Sequence, residues 1–154
     1  MQLTEFLDFD AIKPALSAGN KRSLLQQLAN FAGQRLELDS AAIFECLSER
    51  EKVASTGFGQ GVAIPHGKVL GLGRIYGLFA RLAEPIGYKA IDGAPVDLVF
   101  LLLSPPDAGA EHLKALAALS RIIRHGPTLE QMRGARTRDA LAAVLMGADE
   151  RDAA

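Results

Sequence analysis

The sequence places one histidine between a rigid and a flexible neighbour, a setting that suits a reactive group. His66 follows an apolar run that ends at Pro65 and precedes Gly67. Proline fixes its own φ at about −65° and lacks a backbone donor, whereas glycine can adopt positive φ. We therefore expect the chain to turn sharply at Gly67 and to hold His66 at a strand end, where open α/β sheets often bind ligands. A loop histidine without a role is the alternative.

A second histidine and an arginine fall on the apolar faces of predicted helices. At about 100° per residue, His112 lies within the apolar arc of a helix over residues 110–124. It lies in the first turn, where the helix dipole disfavours imidazolium. Arg50 lies beside Leu47 in the last turn of a helix over residues 40–51. Taken singly, each also fits a structural role: a core histidine bonded to a carbonyl, or an arginine whose stem lies on the core.

These three side chains, together with a glycine-rich loop before His66, match the needs of a phosphoryl group. Such a group needs a nitrogen nucleophile, a planar cation for its oxygens and backbone N–H groups arranged as a nest. Neutral imidazole is nucleophilic near pH 7 because its ordinary pKa is ~6.5. Phosphoryl transfer is mostly positioning and charge stabilisation, so few residues suffice. The candidate phosphate-loop residues are Ser55, Thr56, Gly57, Gly59 and Gly61.

Other site chemistries fit the sequence less well. Three histidines and one cysteine without short paired spacings predict no metal site, and we expect no cofactor. Cys46 lies among apolar neighbours and is interpreted as a core residue. The "GFGQG" run precedes a strand instead of opening a helix, and no GxxxxGK[ST] motif is present, which argues against a nucleotide site. His125, at a helix end, is interpreted as a C-terminal cation or cap.

Composition predicts one globular domain over residues 1–154, of which 49% are hydrophobic. Seventeen basic and 18 acidic side chains nearly cancel, which argues against nucleic-acid binding. The longest apolar run, Leu98–Leu103, is far shorter than the ~20 residues of a membrane span, so we expect no membrane insertion. The lone cysteine and an acidic N-terminus that lacks the features of a signal peptide predict a cytoplasmic protein.

Periodicity and turn residues predict helices on both sides of a mixed sheet, an α/β domain. The predicted strands cover residues 11–16 (an edge strand that tolerates Pro14), 62–65, 75–82 and 96–103, the last of them apolar on both faces and therefore central. The predicted helices begin after Asn20, after Asp39 or Ser40, near residue 110, after Pro127 and after Thr137. Residues 147–154 are predicted to fray.

Two long segments resemble a known family. The segment "REKVASTGFGQGVAIPHGK", residues 50–68, resembles the active-site signature of enzyme IIA proteins of the fructose/mannitol class, from the bacterial phosphoenolpyruvate-dependent phosphotransferase system. The segment "AIDGAPVDLVFLLLSPPDAGAEHLKALAALSRII", residues 90–123, is similar to the second signature block of that family. The nitrogen-regulatory branch is the nearest match, and the resemblance covers nearly the whole chain. It implies a single-domain α/β sandwich with a central mixed β-sheet and helices on both faces.

The resemblance also implies roles and partners. His66 would accept phosphate from an upstream histidine phosphocarrier protein, Arg50 would assist, and His112 would lie near the phosphoryl group. Gly57, Gly59 and Gly61 match the loop glycines of the family. Two carrier roles stay open: regulation of target proteins by phosphorylation state, and sugar transport through an enzyme IIB. A binding module that recognises targets without turnover is the alternative from another class.

Overall fold

The computed structural model is an α/β sandwich in which a mixed six-stranded sheet lies between two helical layers. The structure describes residues 1–153, the side chains of residues 152 and 153 excepted. The predicted fold class is confirmed. No helix within the described part of the chain is long and apolar enough to cross a membrane.

The strands are short except for two, and the helices are two to four turns long. The strands are β1 (Lys13–Leu16), β2 (Gly57–Gly59), β3 (Val62–Ala63), β4 (His66–Lys68), β5 (Tyr76–Ile86) and β6 (Val96–Ser104). The helices are α1 (Lys21–Leu36), α2 (Ser40–Val53), α3 (Gly109–Ile123), α4 (Gly126–Gly134) and α5 (Arg138–Ala153). Two short 3₁₀ helices, Leu3–Glu5 and Phe9–Ala11, precede β1.

Strand β6 lies at the centre of the sheet, as its apolar sequence predicts. The order is β1-β5-β6-β3-β2, and β4 also pairs with β6. Alternate residues of β6 enter different cores: Phe100 packs in the core with α3, α4 and α5, and Leu101 packs in the core with α1 and α2. Because both faces are covered, the strand is apolar at every position from Leu98 to Leu103.

The predicted turn after His66 is wrong. Strands β3 and β4 run parallel to successive stretches of β6, so they form one interrupted strand, and His66 begins its second half instead of ending the first. Gly67 does not have positive φ. A Cβ on Gly67 would collide with Sγ of Cys46 in α2. This glycine therefore permits close packing of a helix on the sheet.

Local capping explains where the helices begin. The side chain of Asn20 accepts a hydrogen bond from the backbone N of Ser23, and Asp39 caps α2 as predicted. The prediction for His125 is wrong: it is the N-cap of α4, where its ring accepts from the backbone N of Thr128. A ring that accepts there is neutral, whereas the predicted cation at the end of α3 would carry no lone pair.

The C-terminal segment is helical where the sequence predicts fraying. Helix α5 continues to Ala153. Asp149 is only 5% exposed, and its carboxylate accepts hydrogen bonds from the backbone N of Leu3 at 2.6 Å and of Thr4 at 3.1 Å. This tie to the first 3₁₀ helix holds the segment, which composition alone does not indicate. Residue 154 lies outside the described residues.

Candidate functional site

His66 lies at the start of β4 with its ring orientation fixed by the backbone. Its Nδ1 lies 2.7 Å from the carbonyl oxygen of Ile64, and a carbonyl can only accept, so Nδ1 carries the proton. In the neutral ring the lone pair is then on Nε2. Burial lowers the pKa of His66 below its ordinary value and outweighs the hydrogen bond to Ile64, which raises it. The nearby charge of Arg50 lowers the pKa further, and the charge of Glu51 raises it. A neutral, nucleophilic imidazole is the result.

His112 faces His66 from the first turn of α3. The ring centroids lie 5.5 Å apart, and the rings are tilted by 49°. Nδ1 of His112 lies 2.5 Å from Oγ of Ser104, the fully buried last residue of β6. Burial, followed by the charges of His66 and Lys68, lowers the pKa of His112. When the serine hydroxyl donates to Nδ1, the proton of a neutral His112 lies on Nε2 and is available to a ligand.

Arg50 lies near His66, in the last turn of α2. Its Nη1 donates to the carbonyl oxygen of Ala54 at 2.8 Å, which satisfies a backbone acceptor just beyond the helix end. Within the described residues this is the one hydrogen bond of the guanidinium, so most of its five donors remain for a ligand. The half-buried position keeps a fixed positive charge beside His66.

His66 and Arg50 both line a cleft of about 380 Å³, whereas His112 faces His66 without lining the cleft itself. Phe58, on its rim, is partly exposed, and Leu113, beside His112, is 66% exposed. An anion that entered this cleft would meet a cation and an imidazole inside an apolar rim. The residues that line the cleft are Arg50, Ser55, Thr56, Gly57, Phe58, Ile64, His66, Leu116, Ala117 and Ser120.

A larger cavity, of about 640 Å³, lies at residues 4–10 and 71–76. Two of its charged groups are paired with each other: Arg35 forms two hydrogen bonds with Asp8, and Tyr76 donates a third to the same carboxylate. Neither His66 nor His112 lines it. The chemistry of this protein therefore points to the smaller cleft.

The predicted phosphate loop is only partly assembled at the cleft. Ser55, Thr56 and Gly57 line it, but the N–H of Thr56 donates to Glu51 and the N–H of Gly57 donates to Oγ of Ser55. These two N–H groups are therefore not free to form a nest. Gly59 and Gly61 do not line the cleft; they flank the turn between β2 and β3 with φ of 111° and 79°.

Glu51 does not line the cleft but holds Thr56, which does, and the sequence reasoning missed this residue. Its side chain is only 7% exposed, and its carboxylate accepts hydrogen bonds from Lys21 Nζ at 2.9 Å, from Tyr88 Oη at 2.9 Å and from Thr56. Burial raises the pKa of this carboxyl, but these donors outweigh burial and hold the pKa below its ordinary value. One signal was available: an acid in the last turn of a helix opposes the dipole and needs partners.

Comparisons with known proteins agree on one family. A family model described as "Phosphoenolpyruvate-dependent sugar phosphotransferase system, EIIA 2" matches residues 5–147. A "Nitrogen regulatory protein" of Bradyrhizobium diazoefficiens is 47% identical over 145 residues, covering 94% of this chain and 95% of that protein. A "PTS system fructose-specific EIIA component" of Haloferax volcanii is 38% identical over 132 residues, covering 86% and 84%. The crystal structure of nitrogen regulatory protein IIA-Ntr from Neisseria meningitidis is similar with a TM-score of 0.87 and 37% identity, covering 93% and 98%.

Proposed function

This chain belongs to the EIIA 2 family of the phosphoenolpyruvate-dependent sugar phosphotransferase system, and we propose that His66 carries the phosphoryl group. The donor is the phosphohistidine of an upstream histidine phosphocarrier protein. One observation carries the proposal: His66, whose Nδ1 is bonded to the carbonyl oxygen of Ile64 so that Nε2 is the nitrogen left for reaction, lines a cleft together with Arg50 and faces His112. We infer that the protein works in the cytoplasm, which the lone cysteine supports.

The transfer exchanges one phosphorus–nitrogen bond for another. The Nε2 lone pair of His66 attacks phosphorus, the bond to the donor's imidazole breaks, and that imidazole keeps the electron pair. The guanidinium of Arg50 stabilises the equatorial oxygens in the loose transition state. The ring of His66 becomes electron-poor as the new bond forms, and the Nδ1–H···O=C bond to Ile64 stabilises it. His112 supplies a further N–H to a phosphoryl oxygen and is not an acceptor.

A labelling experiment tests the proposal. The protein is incubated with labelled phosphoenolpyruvate, enzyme I and the cognate phosphocarrier, and the label is followed on the intact chain. We expect an adduct that is labile in acid and stable in base, absent from His66→Ala. His125→Ala is the matched control, because that histidine caps α4 and does not line the cleft. Undiminished labelling of His66→Ala would contradict the proposal.

We propose that the output is regulatory, of the nitrogen-regulatory kind named for relatives of this chain. A phosphoryl group on nitrogen adds close to two negative charges, by analogy with the ~−1.5 to −2 of phosphoserine. The formal charge of the whole chain is −1, so the local change is large. A target that packs on the apolar rim would have to bury this dianion, which costs several kcal/mol without matching cations. Targets should therefore bind the unphosphorylated form.

Sugar transport is the second candidate, since a fructose-specific EIIA component is also among the relatives. In that role the phosphoryl group passes to an enzyme IIB. The two roles are separated by measuring the affinity of a captured target for the phosphorylated, unphosphorylated and His66→Ala forms. Regulation requires that the affinity of the target for the phosphorylated form differ from its affinity for the unphosphorylated and His66→Ala forms. Equal affinities would mean that the phosphoryl group is passed on without being sensed, and transport would then be the better conclusion.

A further inference from the structure

The buried carboxylate of Glu51, on α2, holds residues from three other parts of the fold. Lys21 comes from the start of α1, Tyr88 from the segment between β5 and β6, and Thr56 from the segment that lines the cleft. Thr56 donates twice, through its backbone N–H and through Oγ1. A carboxylate with donors of this kind on both oxygens is held in one place, because charge-assisted hydrogen bonds are the strong ones.

A continuous series of hydrogen bonds leads from Glu51 to His66. Glu51 holds Thr56, and the carbonyl oxygen of Thr56 accepts from the backbone N of Ile64 at 3.0 Å. The carbonyl oxygen of Ile64 in turn accepts from Nδ1 of His66 at 2.7 Å. Pro65 restricts the intervening backbone, and its own carbonyl oxygen accepts from the backbone N of Leu102 in β6. The carbonyl that orients the imidazole is therefore fixed on both sides.

We propose that Glu51 is a positioning residue that keeps His66 in its Nδ1-protonated tautomer, with Nε2 aimed into the cleft. It acts through Thr56 and Ile64 and contacts neither the phosphoryl group nor the ring of His66. The kinetic part of this inference rests on the proposed phosphocarrier function; the tautomer part does not.

The test reads the tautomer directly and needs no donor. Protein with ¹⁵N in its histidine rings gives two-bond ¹H–¹⁵N correlations that distinguish Nδ1–H from Nε2–H. We expect Nδ1–H to dominate at His66 in the native protein and the Nε2–H form to increase several-fold in Glu51→Gln. We also expect the maximal rate of phosphorylation to fall by roughly tenfold, since rates drop steeply when a nucleophile is misplaced. The donor concentration at half-maximal rate should not change.

Two variants separate the effect of the length of the Glu51 side chain from the effect of its charge. Glu49→Gln makes the same charge change on the same helix, but Glu49 is exposed and, among the residues that the structure describes, pairs only with Lys52. It should leave tautomer and rate unchanged. Glu51→Asp keeps the charge but is one methylene shorter, so it should shift the tautomer as Glu51→Gln does. A native tautomer and rate in Glu51→Asp would overturn the positional proposal in favour of a purely electrostatic one.

A folded Glu51→Gln protein with the native His66 tautomer and rate would overturn the proposal outright. If Glu51→Gln does not fold, Thr56→Val takes its place, because it removes the hydroxyl donor and keeps the backbone N–H. An unchanged tautomer in Thr56→Val would then overturn the proposal. If the native protein takes no phosphate yet shows the tautomer shift in Glu51→Gln, the phosphocarrier function fails and the positioning role stands.

Discussion

Replacing Gly67 with alanine should push α2 away from the sheet. A Cβ at this position would collide with Sγ of Cys46, and the backbone conformation itself accepts alanine because φ is not positive. Cys46 packs half-buried, and its Sγ lies 3.0 Å from the carbonyl oxygen of Lys68, so it cannot move aside freely. Arg50 follows Cys46 by one helical turn. A displacement of α2 would therefore also move the guanidinium relative to His66.

Two opposing effects set the change in the free energy of unfolding that Gly67→Ala should cause. Overpacking a well-packed site costs about 1–3 kcal/mol in the free energy of unfolding. Replacing glycine by alanine at a compatible φ regains about 0.4–1 kcal/mol, because the unfolded chain loses freedom. Gly67→Ala alone should thus destabilise by roughly 1–2 kcal/mol. In a Cys46→Ala background the collision is gone, and the same change should be neutral or stabilising by up to about 1 kcal/mol.

Urea unfolding of the four proteins in this double-mutant cycle supplies the assay, provided that the m-values agree. The phosphorylation rate is a second measurement: Gly67→Ala should be slow, and the double variant should recover. If Gly67→Ala destabilises equally in both backgrounds, the contact with Cys46 is not the reason for the glycine. If the stability recovers and the rate does not, α2 does not position Arg50 as described.

Arg50→Lys should fold normally and transfer on the order of 10²-fold more slowly, less than the ~10³–10⁵ of arginine fingers, because lysine lacks the planar two-point contact; a normal rate would contradict this. His112→Ala should still be phosphorylated, about tenfold more slowly, and complete loss of labelling in a folded variant would make this histidine indispensable. The pKa of His66 is lower in the folded state than in the unfolded state, where it is about 6.5. Between these two values the unfolded state binds more protons. The free energy of unfolding therefore rises with pH through that window, and the contribution of His66 is lost as pH falls below about 6.5. The phosphorylation rate should likewise stay level from neutral pH down to about 6.5 and fall only below it, and a half-maximal rate at or above 6.5 would refute the lowered pKa.

Much of the fold was predictable because the local sequence of several strands and helices indicates their structure. The run Leu98–Leu103 is apolar at every position, which only a strand covered on both faces requires, and it became the centre of the sheet. Asn20 and Asp39 are residues that commonly cap helices, and they correctly predicted where α1 and α2 begin. Helical periodicity placed Arg50 and His112 inward, and the structure brings both next to His66.

The remainder depends on contacts between residues far apart in the sequence. The strand predicted over residues 62–65 contains β3, but β4, at three residues, is too short for periodicity to detect, so the chain was expected to turn at Gly67. The need for glycine there comes from Cys46 in α2. In the sequence Glu51 resembles an ordinary surface acid, because its partners Lys21 and Tyr88 belong to other elements of the fold. Burial of a charged group is a tertiary property, and local pattern does not reveal it.

The phosphorylated nitrogen is the most direct measurement of the proposed carrier role. Protein with ¹⁵N in its histidine rings is phosphorylated by the donor system, and ³¹P–¹⁵N coupling identifies the bonded nitrogen. We expect a single phosphoramidate on Nε2 of His66, with the Nδ1 proton still bonded to the carbonyl oxygen of Ile64. Phosphate on Nδ1 of His66, or on the ring of His112 or His125, would contradict the account.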